Sequence, residues 1–314
     1  MKISVIFPVY NEAKNIPLLL ERLYVVLRKE GYDYEIIAVN DGSRDESLSV
    51  LALHSQTDPR LKVINFKTNA GQTAALRAGI EHATGEVIIL MDSDLENHPS
   101  DIPRLISKLD EGYDVVSGWR KNRWRDNYFS RKIPSTLANA LISRITGVYL
   151  HDYGCTLKAY RPNVIQGIPL YGEMHRFIPA YAASQGAKVT EIEVEYTPRA
   201  FGKSNYGIMR TFSVLLDLLV IRFLDRYLDR PIHFFGGLGF LLVALGSLAG
   251  IAAVFFRLFY NLHLVQTPLP LLAAFLLIAG LNLIMLGVIA EILTRTYYEA
   301  KGDKPYSIHS TVNF

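Results

Sequence analysis

Between Ile232 and Phe256 the chain reads IHFFGGLGFLLVALGSLAGIAAVFF, without a single Asp, Glu, Lys or Arg. A second apolar run, LPLLAAFLLIAGLNLIMLGVI, occupies 269–289 and is interrupted only by Asn282. Roughly 20 apolar residues span a bilayer as a helix. Few soluble cores could bury two such runs side by side. The chain is therefore expected to divide into a hydrophilic domain at 1–205, an amphipathic juxtamembrane helix at 206–231, a first span at 232–256, an external loop at 257–268, a second span at 269–291 and a tail at 292–314.

The basic residues orient this arrangement. The loop between the spans carries Arg257 alone. The preceding flank carries Arg210, Arg222, Arg226 and Arg230, and the following one Arg295, Lys301 and Lys304. The positive-inside bias places both termini and the hydrophilic domain in the cytoplasm, with the plasma membrane as the expected location. Within 209–230, Met209, Phe212, Leu216, Leu219, Val220, Phe223 and Tyr227 recur at helical spacing, largely apart from the charged residues, as on a helix that lies in the interface, packs on the hydrophilic domain, or does both. Small residues in the first span (Gly236, Gly237, Gly239, Gly246, Gly250) permit close helix packing and a homo-oligomer through the membrane.

The first half alternates between strand and helix patterns. Strands are expected at Ile3–Phe7, Tyr34–Val39, Leu61–Phe66, Glu86–Met91 and Asp114–Ser117. Helices are expected at Lys14–Lys29, Asp45–His54, Gln72–Ala83 and Pro99–Glu111. This order predicts an α/β fold, a mostly parallel sheet with helices on both faces. Ligands of such sheets bind beyond the carboxyl ends of the strands. There the sequence places Tyr10-Asn11-Glu12, Asn40-Asp41-Gly42-Ser43, Asn69-Ala70-Gly71 and Asp92-Ser93-Asp94. Turn chemistry explains any one such cluster; four at one edge suggest a site. The absence of a G-x-G-x-x-G after the first strand, and of a P-loop, argues against a dinucleotide-binding dehydrogenase or a P-loop NTPase.

Asp92-Ser93-Asp94 carries the sharpest chemistry. Alternate residues of an extended segment face the same way. Asp92 and Asp94 could thus share a hard divalent cation, Mg2+ or Mn2+, which prefers oxygen ligands. The single cysteine, Cys155, excludes an intrachain disulfide and a cysteine metal cluster. A net charge of +3 is too small to argue for nucleic-acid binding.

At these residues the sequence resembles family-two glycosyltransferases. The segments FPVYNE (7–12), VNDGSRDES (39–47), NAGQTAALRAGI (69–80) and MDSDLENHP (91–99) match in order and spacing. DYGCTLKAYR (152–161) and the two spans are similar to the bacterial polyprenyl-phosphate subgroup. The resemblance implies a Rossmann-like GT-A domain that transfers a sugar from a UDP- or GDP-sugar to a polyprenyl phosphate (undecaprenyl or dolichyl type) with inversion. It implies that Pro8, Tyr10, Glu12, Asp41, Asp92, Ser93, Arg199 and Lys203 bind the donor. It implies that Asp92, Asp94 and Glu96 hold the metal, and that Arg120, Arg131 and Ser135 hold the acceptor phosphate. Asp94, Arg120 and Arg131 are then the catalytic set. Two departures stand out: Asp-Ser-Asp-Leu-Glu replaces the frequent Asp-Ala-Asp-Leu-Gln, and the closing loop reads Lys203-Ser204-Asn205 where Ser-Lys is frequent.

Two rivals bear weighing. A processive polysaccharide synthase of the same family usually carries a Gln-x-x-Arg-Trp signature, absent here, and more spans. A non-catalytic nucleotide-sugar-binding scaffold would have no need of paired Asp92 and Asp94 beside acceptor-side arginines.

Overall fold

A computed structural model of the 314-residue chain describes residues 1–121, 123, 133–166, 168, 170, 174–198, 231–260, 262–299 and 308–313. The chain forms two compact units, one of residues 1–218 with 304–314, the other of 219–303.

The first unit is built on β1 (Lys2–Val9), β2 (Asp33–Asn40), β3 (Leu61–Phe66), β4 (Val87–Leu90) and β5 (Val115–Trp119), with α1 (Ile16–Lys29), α2 (Ser47–Thr57), α3 (Gln72–His82) and α4 (Ile102–Asp110) between them. Each expected strand and helix of this stretch is present. Then follow α5 (Ile133–Thr146), β6 (Lys158–Tyr160), α6 (Pro162–Ile165), α7 (Ile178–Ser184) and β7 (Val189–Glu193). The sheet closes at its other edge with β8 (Ile308–Val312), from the far end of the chain. The strand order is β7-β5-β6-β4-β1-β2-β3-β8. β6 and β8 run antiparallel to their neighbours, and the other strands are parallel to one another.

Alternation along each strand sorts the core into two layers. Ile3, Val5, Phe7, Ile36, Ala38, Val87 and Ile89 face α1, α2 and α4. Ile6, Ile37, Val39, Ile64, Ile88 and Leu90 face α3, α6 and α7. Strands covered on both faces are mostly apolar, as β1 and β2 are, with Ser4 and Glu35 the buried polar pair between them.

Pro8 interrupts this ladder at a useful place. The β4 pairing of β1 ends at Ile6, where Met91 donates its N–H to the Ile6 carbonyl at 3.1 Å. Pro8 has no N–H to continue it. Its carbonyl instead accepts from Ser93 Oγ at 2.8 Å. The strand ends therefore splay, and the segment after β4 leaves the sheet as a loop.

The second unit holds α8 (Pro231–Tyr260) and α9 (Leu269–Glu299). Each contains a stretch long and apolar enough to cross a membrane, Ile232–Tyr260 with mean hydropathy 2.4 and Leu269–Ala290 with 2.6. They pack closely on each other through glycines. A Cβ at Gly239 would stand 2.7 Å from the Gly280 carbonyl oxygen, and one at Gly246 would lie 3.0 Å from the Leu277 backbone nitrogen. Part of the small-residue face expected to join chains therefore joins the two helices of one chain. Outward-facing Phe240, Leu248, Ile251, Leu271, Phe275 and Ile278 stay exposed, as lipid-facing side chains are. The amphipathic segment 209–230 lies outside the described residues.

Candidate active site

The loops beyond β1, β2 and β4 are fastened to one another by side-chain to backbone hydrogen bonds. Asn11 adopts φ +59°, and its N–H donates to Ser43 Oγ at 3.0 Å while its Oδ1 accepts from the Arg44 N–H at 2.8 Å. The Glu12 N–H donates to Ser47 Oγ at 2.9 Å. Asp45 accepts from the N–H groups of Ala13 and Ser47, and burial, which would raise its pKa, is outweighed by hydrogen bonds from the Ser47 hydroxyl and then from these N–H groups, which hold its carboxyl below the usual range. Tyr10 stands on this frame 40% exposed, its ring open to a ligand.

Asp41 is buried at the end of β2. Its carboxylate accepts from Asn69 Nδ2 at 2.9 Å and from the N–H groups of Ala70 and Gly71 at 2.7 and 2.9 Å. Burial raises its pKa and these N–H donors partly offset the rise. The expected donor-binding Asp41 is thus the clamp that ties the β2 end to the start of α3. Gly42, at φ +65°, is required here: a Cβ would meet the Asn69 nitrogen at 2.6 Å.

Asp92 is held at both oxygens. Gln72 Nε2, in the first turn of α3, donates to Oδ1 at 2.8 Å. Thr156 Oγ1 donates to Oδ2, also at 2.8 Å. Asp94 is buried, and its Oδ1 accepts from the Glu96 N–H at 3.0 Å, closing an Asx turn. Between them Leu95 is forced to φ +64° while its side chain is buried in the core. A leucine in the left-handed region is strained, and strain of this kind concentrates at functional sites. Nothing in the sequence pattern marked Leu95.

Glu96 is buried and paired with two arginines. Its Oε2 lies 3.3 Å from Arg120 Nη1 and 3.4 Å from Arg123 Nη2. Among the described residues no group of three or more His, Cys, Asp or Glu side chains is placed to hold a metal ion. The expected trio of Asp92, Asp94 and Glu96 does not form such a group, and Glu96 is paired with two guanidinium groups instead. Asp92 and Asp94 remain, both hard oxygen donors, a set that suits Mg2+ or Mn2+ when substrate phosphate oxygens complete the shell.

Arg120, at the end of β5, is fully buried. Its Nε and Nη2 grip Asp152 in a fork at 2.8 and 3.1 Å, and its Nη1 reaches Glu96. Burial opposes its charge, but Asp152 and then Glu96 outweigh that effect and raise its pKa well above the ordinary value. Burial would raise the Asp152 pKa, yet Arg120 brings it below the carboxylate range. Arg120, expected to hold the acceptor phosphate, is engaged here by two carboxylates, Asp152 and Glu96. Asp152, which sequence reasoning quoted only as part of a motif, is its partner.

Ser135 lies on α5, partly buried. Arg131, Arg199, Lys203 and Ser204 lie outside the described residues. His175 is buried, with its Nδ1 2.7 Å from Thr73 Oγ1 on α3, so it joins the segment after α6 to the first turn of α3. Cys155 is buried and burial pushes its thiol pKa to about 11, so it behaves as a small core residue.

Comparison with known proteins agrees with this geometry. The model of "Glycosyl transferase family 2" matches residues 4–168. The dodecaprenyl-phosphate galacturonate synthase of Rhizobium johnstonii is 41% identical over 312 residues, 98% of this chain and 92% of that protein. An undecaprenyl-phosphate 4-deoxy-4-formamido-L-arabinose transferase from an Enterobacter species is 35% identical, covering 99% of this chain and 94% of that one. Among solved structures, mannosyl-3-phosphoglycerate synthase from Rubrobacter xylanophilus superposes with a TM-score of 0.56 at 12% identity, covering 71% of this chain and 74% of its own. Glucosyl-3-phosphoglycerate synthase from Mycobacterium tuberculosis, in complex with Mn2+ and UDP-glucose, gives 0.53 at 16%, covering 70% and 78%. At such identities these two speak for the GT-A fold alone. The matched segment spans the strand ends that carry Asp41, Asp92 and Asp94, and the relatives run the length of the chain: it belongs to glycosyl transferase family 2.

Proposed function

We propose that this chain transfers a sugar from a nucleotide-sugar donor to a polyprenyl phosphate at the cytoplasmic face of the membrane, giving a polyprenyl-phosphate sugar with inversion. The observation that carries this is the end-to-end likeness to relatives named for sugar transfer to dodecaprenyl and undecaprenyl phosphates. It takes in the two apolar helices as well as the sheet. Neither a polysaccharide synthase nor a non-catalytic scaffold stands among these relatives.

The lipid phosphate is its own nucleophile. Its second pKa is about 6, so at neutral pH it is mostly a dianion and needs no general base. Its oxygen attacks the anomeric carbon as the bond to the nucleoside diphosphate breaks, which inverts that centre. Asp92 and Asp94 would hold Mg2+ or Mn2+, which when bound supplies positive charge to the departing diphosphate. Tyr10 offers a ring face to the nucleobase, with Pro8 and Glu12 beside it and Asp41 keeping the floor of the pocket in shape. Ser93 ties the metal-binding segment to β1. Arg199 and Lys203 would close over the donor.

On the acceptor side, Arg131 would hold the lipid phosphate with its guanidinium and Ser135 would offer a hydroxyl. Arg120 contributes a fixed positive charge, since its fork is taken by Asp152. Chain connectivity supports the orientation. The chain leaves the sheet before the first apolar helix and rejoins it at β8 after the second. Two crossings would return the chain to the side it left, which supports both termini lying with the catalytic domain, and the Lys/Arg bias favours the cytoplasm as that side.

The test is a donor panel. Detergent-purified full-length protein is incubated with undecaprenyl phosphate, Mn2+ or Mg2+, and UDP-galacturonate, UDP-4-deoxy-4-formamidoarabinose, UDP-glucose, UDP-N-acetylglucosamine or GDP-mannose. One sugar-phosphate lipid, seen by mass spectrometry and lost with chelator, is the expected result. A polymer, or nucleotide binding without turnover on any donor, would contradict it.

A further inference from the structure

One short loop, 152–156, touches both halves of the site. At its start Asp152 grips the guanidinium of Arg120. At its end Thr156 Oγ1 donates to Asp92 Oδ2 at 2.8 Å. Between them Cys155 Sγ points at Asn97 Oδ1, 3.6 Å away, on the segment that follows Glu96. A displacement of this loop would therefore disturb the acceptor-side arginine and the donor-side carboxylate together.

Beneath the loop is Lys158, the first residue of β6 and 2% exposed. β6 is the central strand of an antiparallel trio, and Lys158 is in register with Leu90 of β4 on one side and Ser117 of β5 on the other. Its ammonium donates to the carbonyl oxygens of Tyr153, at 3.3 Å, and Cys155. A buried ammonium costs free energy that a methionine or leucine of similar volume would not. What the ammonium supplies here, and an apolar side chain could not, is a pair of N–H donors for two backbone carbonyls of the loop. Burial accordingly lowers its pKa to about 8.

We propose that Lys158 is a positioning residue for sugar transfer, anchoring loop 152–156 from below so that Arg120 and Asp92 are held in fixed register with each other. It touches no reacting atom. It acts through Asp152 on the acceptor side and through Thr156 on the donor side. The inference rests on the proposed transfer reaction for its kinetic consequence, and on geometry alone for the anchoring.

The single cysteine gives a readout that needs no substrate. In the wild-type protein Cys155 should be shielded from a water-soluble thiol reagent such as DTNB. In Lys158→Met, with the circular dichroism spectrum unchanged, the thiol should react at least tenfold faster. In the same variant kcat should fall at least tenfold, and KM should rise for both donor and acceptor. Thr156→Val should raise the donor KM alone. Lys158→Arg, which retains charge and donors, should recover part of both thiol protection and kcat.

Native-state hydrogen exchange on the wild-type protein decides the anchoring even if Lys158→Met does not fold. The amides of 153–156 should be as protected as those of β6. Exchange at the rate of a free surface loop, or a thiol in Lys158→Met as shielded as in the wild type, would overturn the anchoring. A reactive thiol with kcat and both KM values unchanged would overturn the positioning role. A wild-type protein that turns over no donor would count against the proposed reaction, and the thiol and exchange results would still decide the anchoring.

Discussion

Asp92, Asp94 and Arg120 occupy different electrostatic situations, and their substitutions should behave differently. Asp94 lies beside a strained Leu95, and an asparagine in its place keeps the oxygen that accepts from the Glu96 N–H in the Asx turn. Asp94→Asn should lower kcat by about 100-fold or more, the loss expected when one preorganised electrostatic group is removed, while thermal stability stays near that of the wild type. Steady-state kinetics beside a melting curve would check this. Asp152 is the reverse case. Asp152→Asn leaves Arg120 buried with one carboxylate fewer, and breaking a buried pair costs about 3–5 kcal/mol. The variant should melt well below the wild type, and equal melting temperatures would contradict the pairing. Both aspartates were visible in the sequence, one inside Asp-Ser-Asp and the other inside DYGCTLKAYR. Their difference was not. The partnership of Arg120 with Asp152 depends on β5 lying beside β6, and the pairing of Glu96 depends on where Arg120 and Arg123 come to rest. Leu95 gave no signal at all, because its apolar side chain fits the core while its backbone carries the strain.

The first five strands and four helices were legible because each buries a continuous or periodic apolar set, and that is the pattern a two-sided sheet imposes. β6, β7 and β8 escaped for physical reasons. β6 is three residues long and contains a lysine, a residue rarely buried. β7 reads VTEIE and lies at an edge, where burial is partial. β8 comes from beyond the apolar helices, and no local pattern could assign it to β3. It covers the β3 edge, and Asn313 Nδ2 seals it by donating to the Ser55 and Leu61 carbonyls at 3.1 and 3.0 Å. Deleting 308–314 should uncover that edge, which invites strand pairing between chains. Size-exclusion chromatography should then show aggregate at protein concentrations where the full chain is monodisperse or forms a defined oligomer. At the opposite ends of the strands, buried Glu35 gathers Ser4, Thr84 and Lys62 and fastens β1, β2 and β3 together. Burial would raise its pKa, but the hydrogen bonds from Lys62, Ser4 and Thr84 bring it down to about 2. Its folded pKa is depressed, so its stabilisation is complete above the unfolded value near 4.5 and is lost as pH falls from there through about 2. Denaturation midpoints followed from pH 7 to pH 2.5 should fall more steeply below pH 4.5 in the wild type than in Glu35→Gln.

Across the whole molecule, the sheet and the apolar helices supply different parts of one reaction. The sheet gathers the strand ends that carry Asp41, Asp92 and Asp94. The helices keep the enzyme where a polyprenyl phosphate head group is found, which turns a search in solution into one along a surface. The helix pair itself depends on close approach at Gly239 and Gly280, where a Cβ would lie 2.7 Å from the facing carbonyl. In the proposed reaction the lipid phosphate oxygen attacks the sugar carbon, not a phosphorus of the donor. Its most direct test is the identity of the nucleotide released, read by chromatography, together with the phosphorus count of the lipid product from mass spectrometry. Stoichiometric nucleoside diphosphate with one phosphorus per lipid-linked sugar is the predicted result. Nucleoside monophosphate with two phosphorus atoms per lipid would mean that a sugar phosphate is transferred instead, and would contradict the account.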